Sequence, residues 1–201
     1  MPPNNRLQRT VRYAAPPLNR SVRRHPARQP NYRLWLMTLQ AVLKSQYRAS
    51  LAMLLEAIDS CPARVWTSDQ HVNQFWQVAY HTLFYTHLYL QRSEADFVPW
   101  EHHRPGHHRF GTGPDAPSTV SPYSVKEARA YCLRCQDMVD SAVDRLDLAS
   151  PESGFSWYRM SKLEHQFVNL RHIQHHTGQL ADRLRQTANR GIGWVGGASA
   201  P

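Results

Sequence analysis

The sequence lacks any hydrophobic run near the eighteen or so consecutive apolar residues that a membrane span requires, so no transmembrane helix is predicted. Cysteine is scarce, and the odd count of three gives no disulfide framework and is typical of a reducing compartment. The basic N-terminus has no apolar segment of the kind that a secretory signal contains. These absences together predict a cytoplasmic protein.

The first thirty residues contain no acidic residue and no lysine, but they contain seven arginines and six prolines. The whole chain has a formal net charge of +9, and removing those seven arginines from its 24 basic residues leaves 17 against 15 acidic residues. Since residues 1–30 have no periodic apolar pattern, they are predicted to form a disordered tail. Nucleic-acid binding by the clustered arginines is the less favoured interpretation, and a targeting role or a translation start further along the chain are two others.

Four segments space their apolar residues at intervals of three and four, which is the pattern of amphipathic helices. They cover residues 32–60, 69–92, 124–146 and 161–190. Ser124 and Ser161 each precede a glutamate by three residues, which predicts a capping box at the start of the third and fourth helices. Gly191 is suited to ending the last helix.

Residues 93–123 interrupt this pattern with five prolines and three glycines, and they are predicted to be irregular. A connection of this length can run from one end of a bundle to the other, so the third helix need not be antiparallel to the second. No segment shows a convincing strand pattern. The sequence therefore predicts an all-α four-helix bundle over residues 31–190, with a long crossover between helices 2 and 3 and a flexible C-terminal tail at 191–201.

Histidine is abundant, with twelve residues, and three of them have the placement of a metal site. His172 and His176 are four residues apart, so a helix turns both rings to one face, and His81 lies in the aromatic-rich second helix. Three neutral imidazoles leave a divalent ion an open coordination position. His165 shares the same face as a candidate fourth ligand or supporting residue, whereas His175 points roughly 100° away from His176. A solvated histidine-rich helix face is the alternative interpretation.

Two stretches resemble the signature regions of the DinB/YfiT-like superfamily, namely Trp76–Tyr85 and His172–Leu180. In that family one histidine comes from the second helix, and an HxxxH pair in the last helix is followed by Gly-Gln. Thr177 departs from the commonest His or Arg before Gly-Gln, and this is not expected to affect a metal. The resemblance implies an up-down-down-up four-helix bundle, often a homodimer, with a divalent ion on His81, His172 and His176.

The residues alone do not fix the metal, because three imidazoles accept Zn, Ni, Cu or Fe. The resemblance favours Zn or Ni and leaves Fe or Mn as alternatives. Tyr80, Tyr85 and Gln179 are candidates for residues around the metal or in an adjoining pocket, although the aromatic stripe of the second helix is most simply part of the core. No carboxylate stands out as a general base: Glu101 and Glu164 are the nearest candidates, and Glu164 is more simply a helix-capping residue.

The crossover contains His102, His103, His107 and His108. They could cover the metal or bind a second ion, but an exposed, incidentally histidine-rich loop is the favoured interpretation. Arg104 and Arg109 in the same segment are candidates for contact with a carboxylate of a thiol cosubstrate. Cys132 and Cys135 form a CxxC in mid-helix, where small core residues are favoured over a redox or zinc motif.

The function predicted from these features is a metal-dependent transferase or hydrolase that acts on a small molecule, with a low-molecular-weight thiol as candidate cosubstrate. An ion on three histidines can lower the pKa of bound water or keep a thiolate ionised at neutral pH. The main alternative is a metal-binding, stress-associated dimeric bundle without catalysis. Neither membrane nor nucleic-acid partners are expected.

Overall fold

The computed structural model describes residues 32–111 and 121–198, with side chains from residue 37 onward. The predicted tail at residues 1–30 lies outside the described residues. The described ranges contain no strand, and their helices are α1 (Tyr32–Asp59), α2 (Ala63–Trp66), α3 (Phe75–Tyr89), α4 (Val125–Arg145), α5 (Lys162–Ala188) and a 3₁₀ turn at Glu94–Asp96. The predicted all-α helical bundle is confirmed. None of the described helices is long and apolar enough to cross a membrane.

The second predicted helix is shorter than expected, because α3 begins at Phe75 rather than at residue 69 and ends at Tyr89 rather than at residue 92. Gln74 has extended backbone and forms a capping box with Gln77, whose side chain accepts a hydrogen bond from Gln74 N at 2.7 Å. The short helix α2 was not predicted at all. It follows Pro62, and it is held in place by two buried side chains, Val65 and Trp66.

The order of contacts along the four long helices gives their directions. Helix α1 runs antiparallel to α4 and parallel to α5, while α3 runs antiparallel to α5. This is the arrangement that an up-down-down-up connection requires. The contacts that fix these directions are Lys44–Asp144 and Asp59–Arg129 between α1 and α4, Tyr47–Gln166 and Met53–Gln174 between α1 and α5, and Thr86–Asn169 and Tyr89–Gln166 between α3 and α5.

Helix α3 is the most buried of the long helices, since its aromatic residues pack on two sides. One side meets α4, where Tyr131 and the two cysteines are fully buried. Cys132 and Cys135 are free thiols, and each donates a weak hydrogen bond to a backbone carbonyl of a neighbouring helix. Their predicted role as small core residues is confirmed. The other side of α3 meets α5 and presents His81 to it.

The C-terminal residues 191–198 lie along α1 without helical structure. The backbone N–H of Gly193 donates to both carboxylate oxygens of Glu56 at 3.1 Å, and Ala198 N donates to Ser45 Oγ at 3.1 Å. Gln46 Nε2 donates to the carbonyl of Gly196 at 3.0 Å. These contacts fix the segment to α1, and its residues Ile192, Gly193 and Trp194 also line a small cavity with residues of α5.

Candidate metal centre

The three histidines singled out by their spacing meet between α3 and α5. His81 Nε2 lies 3.1 Å from His172 Nε2, and the ring of His176 is 4.6 Å from that of His172 and 4.9 Å from that of His81 between centroids. One potential ligand atom from each ring lies within 4.8 Å of the others. Two nitrogens about 2.1 Å from one tetrahedral ion lie about 3.4 Å apart, so this spacing is close to that of a metal site.

Hydrogen bonds fix which nitrogen of two rings carries the proton. His81 Nδ1 lies 2.7 Å from the carbonyl oxygen of His108, which can only accept, so Nδ1 donates and Nε2 keeps its lone pair. His176 Nδ1 lies 2.9 Å from Gln179 Oε1, and the same reasoning leaves Nε2 of His176 unprotonated. Partners of this kind are what orient histidine ligands in metal sites.

In the third ring, that of His172, the two nitrogens cannot both form good hydrogen bonds with protein groups. If His172 Nε2 donates to His81, then Nδ1 of His172 becomes an unpaired acceptor, because it is buried with no hydrogen-bond partner among the described residues. If Nδ1 carries the proton instead, two lone pairs face each other at 3.1 Å. A cation bound by the two Nε2 atoms would remove this repulsion between lone pairs, while Nδ1 of His172 keeps no partner among the described residues in either arrangement. The donor set therefore fits a divalent metal ion.

The protonation states suit this role as well. Burial, with a smaller contribution from the neighbouring rings, lowers the pKa of His81 to about 4 and that of His172 to about 3. Burial also lowers the pKa of His176. All three rings are therefore neutral at pH 7, which is the form that binds metal.

The crossover covers His81, which corrects the expectation of an exposed histidine loop. Phe110 stacks on the His81 ring with centroids 3.8 Å apart, and the ring of His108 stacks on Phe84 at 4.1 Å. Of the four loop histidines only His102 is exposed, while His107 is buried and the other two are half-buried. A second metal cluster is not present in the described part of the chain.

A family model described as the DinB superfamily matches residues 46–180, about two thirds of the 201 residues, and the match includes all three histidines. The chain belongs to the DinB superfamily. No curated protein and no solved structure matches it. The predicted family is thus confirmed.

In this DinB-superfamily chain the expected supporting residues separate into two groups. Tyr85 lies beside the metal site, with its ring 4.7 Å from that of His81. Tyr80 faces α4 and the crossover instead, since its hydroxyl bonds His103 Nδ1 at 2.7 Å and its ring stacks on Tyr123. Tyr80 is fully buried there and does not line the cavity beside the histidines.

Gln179 fixes His176 and is itself fixed, because its side-chain nitrogen lies 3.2 Å from His175 Nε2. Replacing Gln179 by leucine removes the acceptor of the His176 proton, and we expect metal affinity to fall about 10- to 100-fold. Titration of the metal-free protein with Zn²⁺ against a chelating dye measures this. Gln186→Leu, an exposed glutamine on the same helix, is the matched control. Equal affinities of the two variants would contradict the assigned role.

His165, the candidate fourth ligand, lies in a different environment. It is fully buried with its ring 4.7 to 5.1 Å from those of Phe155, Tyr89 and Tyr158, and both ring nitrogens lack a hydrogen-bond partner among the described residues. Burial lowers its pKa to about 4. The structure therefore places His165 in an aromatic cage two turns from His172, outside the cluster of three.

This placement predicts the effect of His165→Phe. Between about pH 6.5 and pH 4 the unfolded chain binds a proton at His165 that the folded chain does not, so this residue makes wild-type stability fall as the pH falls. The variant should gain stability relative to wild type across that window, by at most about 1.4 kcal/mol per pH unit. Urea unfolding of the metal-free proteins at pH 7 and pH 5 measures the difference, with His102→Phe as an exposed control. A loss of metal affinity in His165→Phe would show instead that His165 is a metal ligand.

A cavity of about 690 Å³ opens beside the histidine cluster, a volume typical of small-molecule sites. Its walls come from α3, the crossover and the segment between α4 and α5, and they are mainly aromatic. The lining residues are His81, Phe84, Tyr85, Leu88, Tyr89, Glu94, Phe97, His108, Arg109, Trp157, Tyr158 and His172. Two of the three clustered histidines, His81 and His172, thus line a cavity large enough for a small molecule.

The remaining candidates lie elsewhere, except for Arg109, which lines the cavity. Arg104 pairs with Glu127 at 2.7 Å and lies over the ring of Tyr123. Glu101 and Glu164 are exposed and do not line the cavity, and the backbone N–H of Glu164 is capped by Ser161 Oγ. Sequence reasoning missed Glu94, Phe110, Trp157 and Tyr158, because each lies in an irregular segment where periodicity gives no signal.

Proposed function

We propose that this chain is a metal-dependent transferase or hydrolase that acts on a small molecule, with one divalent ion, Zn or Ni, held by His81, His172 and His176. The observation that carries this proposal is the convergence of three imidazoles, each with one potential ligand atom within 4.8 Å of the others, two of which, His81 and His172, line a cavity of about 690 Å³. Three imidazoles without a carboxylate or thiolate ligand are typical of a site with an open position. A low-molecular-weight thiol is the proposed cosubstrate.

When bound, the ion supplies Lewis-acid activation of a thiol or a water at neutral pH. The chain's own residues prepare the site for it. The His108 carbonyl and Gln179 hold protons on the outer nitrogens of His81 and His176, which leaves the inner nitrogens free. Phe110 and Tyr85 lie against His81 and shield that ring from solvent. The aromatic cavity then holds the organic substrate beside the metal.

The test is an activity screen on untagged protein loaded with Zn²⁺ or Ni²⁺. Conjugation of glutathione and other small thiols to 1-chloro-2,4-dinitrobenzene tests transfer, and cleavage of 4-nitrophenyl acetate tests hydrolysis. Turnover that disappears in His172→Ala and persists in His71→Ala, which removes an exposed histidine outside the cluster, supports the proposal. Full metal occupancy without turnover of any thiol or ester in a broad panel would favour the non-catalytic metal-binding bundle. The homodimer and the cytoplasmic location expected from the sequence stay predictions.

A further inference from the structure

The cavity beside the histidine cluster is elongated along α3, and different residues lie at its two ends. His81, Tyr85 and Tyr89 line it from successive turns of α3, and the eight residue steps from His81 to Tyr89 span about 12 Å of helix. The histidine cluster lies at the first end. Glu94 follows the C-terminal end of α3, where its backbone N–H donates to the carbonyl of Gly154 at 3.1 Å, and it lines the cavity from there.

The middle of the cavity is aromatic. Phe84 packs edge-on against Phe97 at 5.3 Å and stacks on the His108 ring at 4.1 Å, so this wall is rigid and flat. Trp157 and Tyr158, from the segment that precedes α5, add two further aromatic rings to the lining. A flat apolar group gains most from such walls, because aromatic surfaces stack with favourable geometry as well as burying area.

Two charged side chains line this cavity, one of each sign. Arg109 follows His108, whose carbonyl holds His81, so the backbone of Arg109 lies at the histidine end, whereas Glu94 follows the other end of α3. Within the described parts of the chain neither residue is in an ion pair, unlike Arg92, Arg104 and Arg129. A guanidinium without an acidic partner favours a carboxylate ligand, and an unpaired carboxylate favours a cation.

We infer that the cavity takes an aromatic zwitterion, in which a carboxylate meets Arg109 at the histidine end, the ring lies between Phe84 and Trp157, and a protonated amine meets Glu94. This inference names the substrate class of the proposed function and rests on it for the role of the metal. The charges of Arg109 and Glu94, however, are part of the cavity and do not depend on a metal. Ligand binding can therefore be measured with and without metal, and the two proposals fail separately.

Three benzoates that differ only at the far end test the inference. The probes are 4-ethylbenzoate, 4-(2-aminoethyl)benzoate and 4-(2-carboxyethyl)benzoate, titrated calorimetrically into Zn²⁺-loaded and metal-free full-length protein. The amine should bind more tightly than the ethyl compound, and the dicarboxylate should bind most weakly, each step being about 3- to 5-fold, as for exposed charge pairs. Equal binding of the amine and the dicarboxylate, or no binding of any probe, would overturn the inference.

Two substitutions at exposed positions assign the ends. Arg109→Gln should weaken all three benzoates about 10-fold, because each loses its charge-assisted hydrogen bond. Glu94→Gln should leave 4-ethylbenzoate unchanged and remove the preference for the amine over the dicarboxylate. If Glu94→Gln instead weakened all three benzoates, or if neither change had an effect, the proposed orientation of the ligand would be contradicted. Thermal unfolding checks that both variants fold. Probe binding in this order by a protein that takes up no metal would support the inference and refute the proposed function.

Discussion

His172→Ala should reduce the divalent metal content from about one ion per chain to near zero. His172 lies 3.1 Å from His81 between the two Nε2 atoms and 4.6 Å from His176 between ring centroids, so its loss removes one of three ligands. Loss of a residue that only supports a ligand costs about 10- to 100-fold in affinity, and loss of the ligand itself should cost more than that. Elemental mass spectrometry of untagged protein, after loading and desalting, measures the stoichiometry.

His71→Ala is the matched control, because it removes an exposed imidazole that lies outside the cluster of three. It should retain about one ion per chain. Metal should also stabilise wild type against heat and not stabilise His172→Ala, since a ligand at 100 times its Kd adds about 2.7 kcal/mol to the free energy of unfolding. Wild type that takes up neither Zn²⁺ nor Ni²⁺ would show that the three rings are only packed together.

The sequence predicted most accurately those helices whose ends are marked by nearby residues in the chain. The bounds expected for α1, α4 and α5 differ from those observed by a few residues at most, because amphipathic spacing and the serines at 124 and 161 mark those helices directly. The start of α3 was missed because Gln74 and Gln77 cap it, and glutamine is not a usual capping signal. Helix α2 is only one turn long, too short to show a period.

In the candidate site, too, the residues within one helix were predicted and the contacts made by an irregular segment were not. The spacing of His172 and His176 places both rings on one helix face, and family resemblance adds His81. The contacts that complete the site depend on the crossover folding back onto α3, as when the His108 carbonyl binds His81 and Phe110 stacks on it. No spacing rule connects such residues, because their distances along the chain are set by an irregular segment. Tyr80 could not be assigned to the core or to the pocket for a related reason, since an aromatic helix buried on two sides gives no indication of which side faces the metal.

Gly154→Ala should destabilise the fold and open the cavity. Gly154 has φ +84°, a left-handed conformation, and an added Cβ would lie 2.2 Å from the carbonyl oxygen of Arg92 and 3.0 Å from Ser93 Cα. Both are backbone atoms, and Lys162 Nζ holds the Arg92 carbonyl from the other side at 2.6 Å. The combined conformational strain and overlap should cost about 3 kcal/mol, lowering Tm by about 6 to 12 °C. Thermal unfolding measures the stability, and because Trp157 and Tyr158 follow in the same segment, tryptophan fluorescence should report the displaced wall.

Gly178→Ala gives the comparison that separates this strain from a general effect of replacing glycine. Gly178 lies inside α5, and an added Cβ would meet no atom within 4 Å in the described structure. Alanine is favoured over glycine in a helix by about 1 kcal/mol, so this variant should be slightly more stable than wild type. A large loss at Gly178 would instead mean that this exposed face is covered by another copy of the chain, as the predicted homodimer allows. An unchanged Tm in Gly154→Ala would mean that the segment before α5 does not contact the end of α3, and the cavity would then lack the wall on which the proposed ligand stacks.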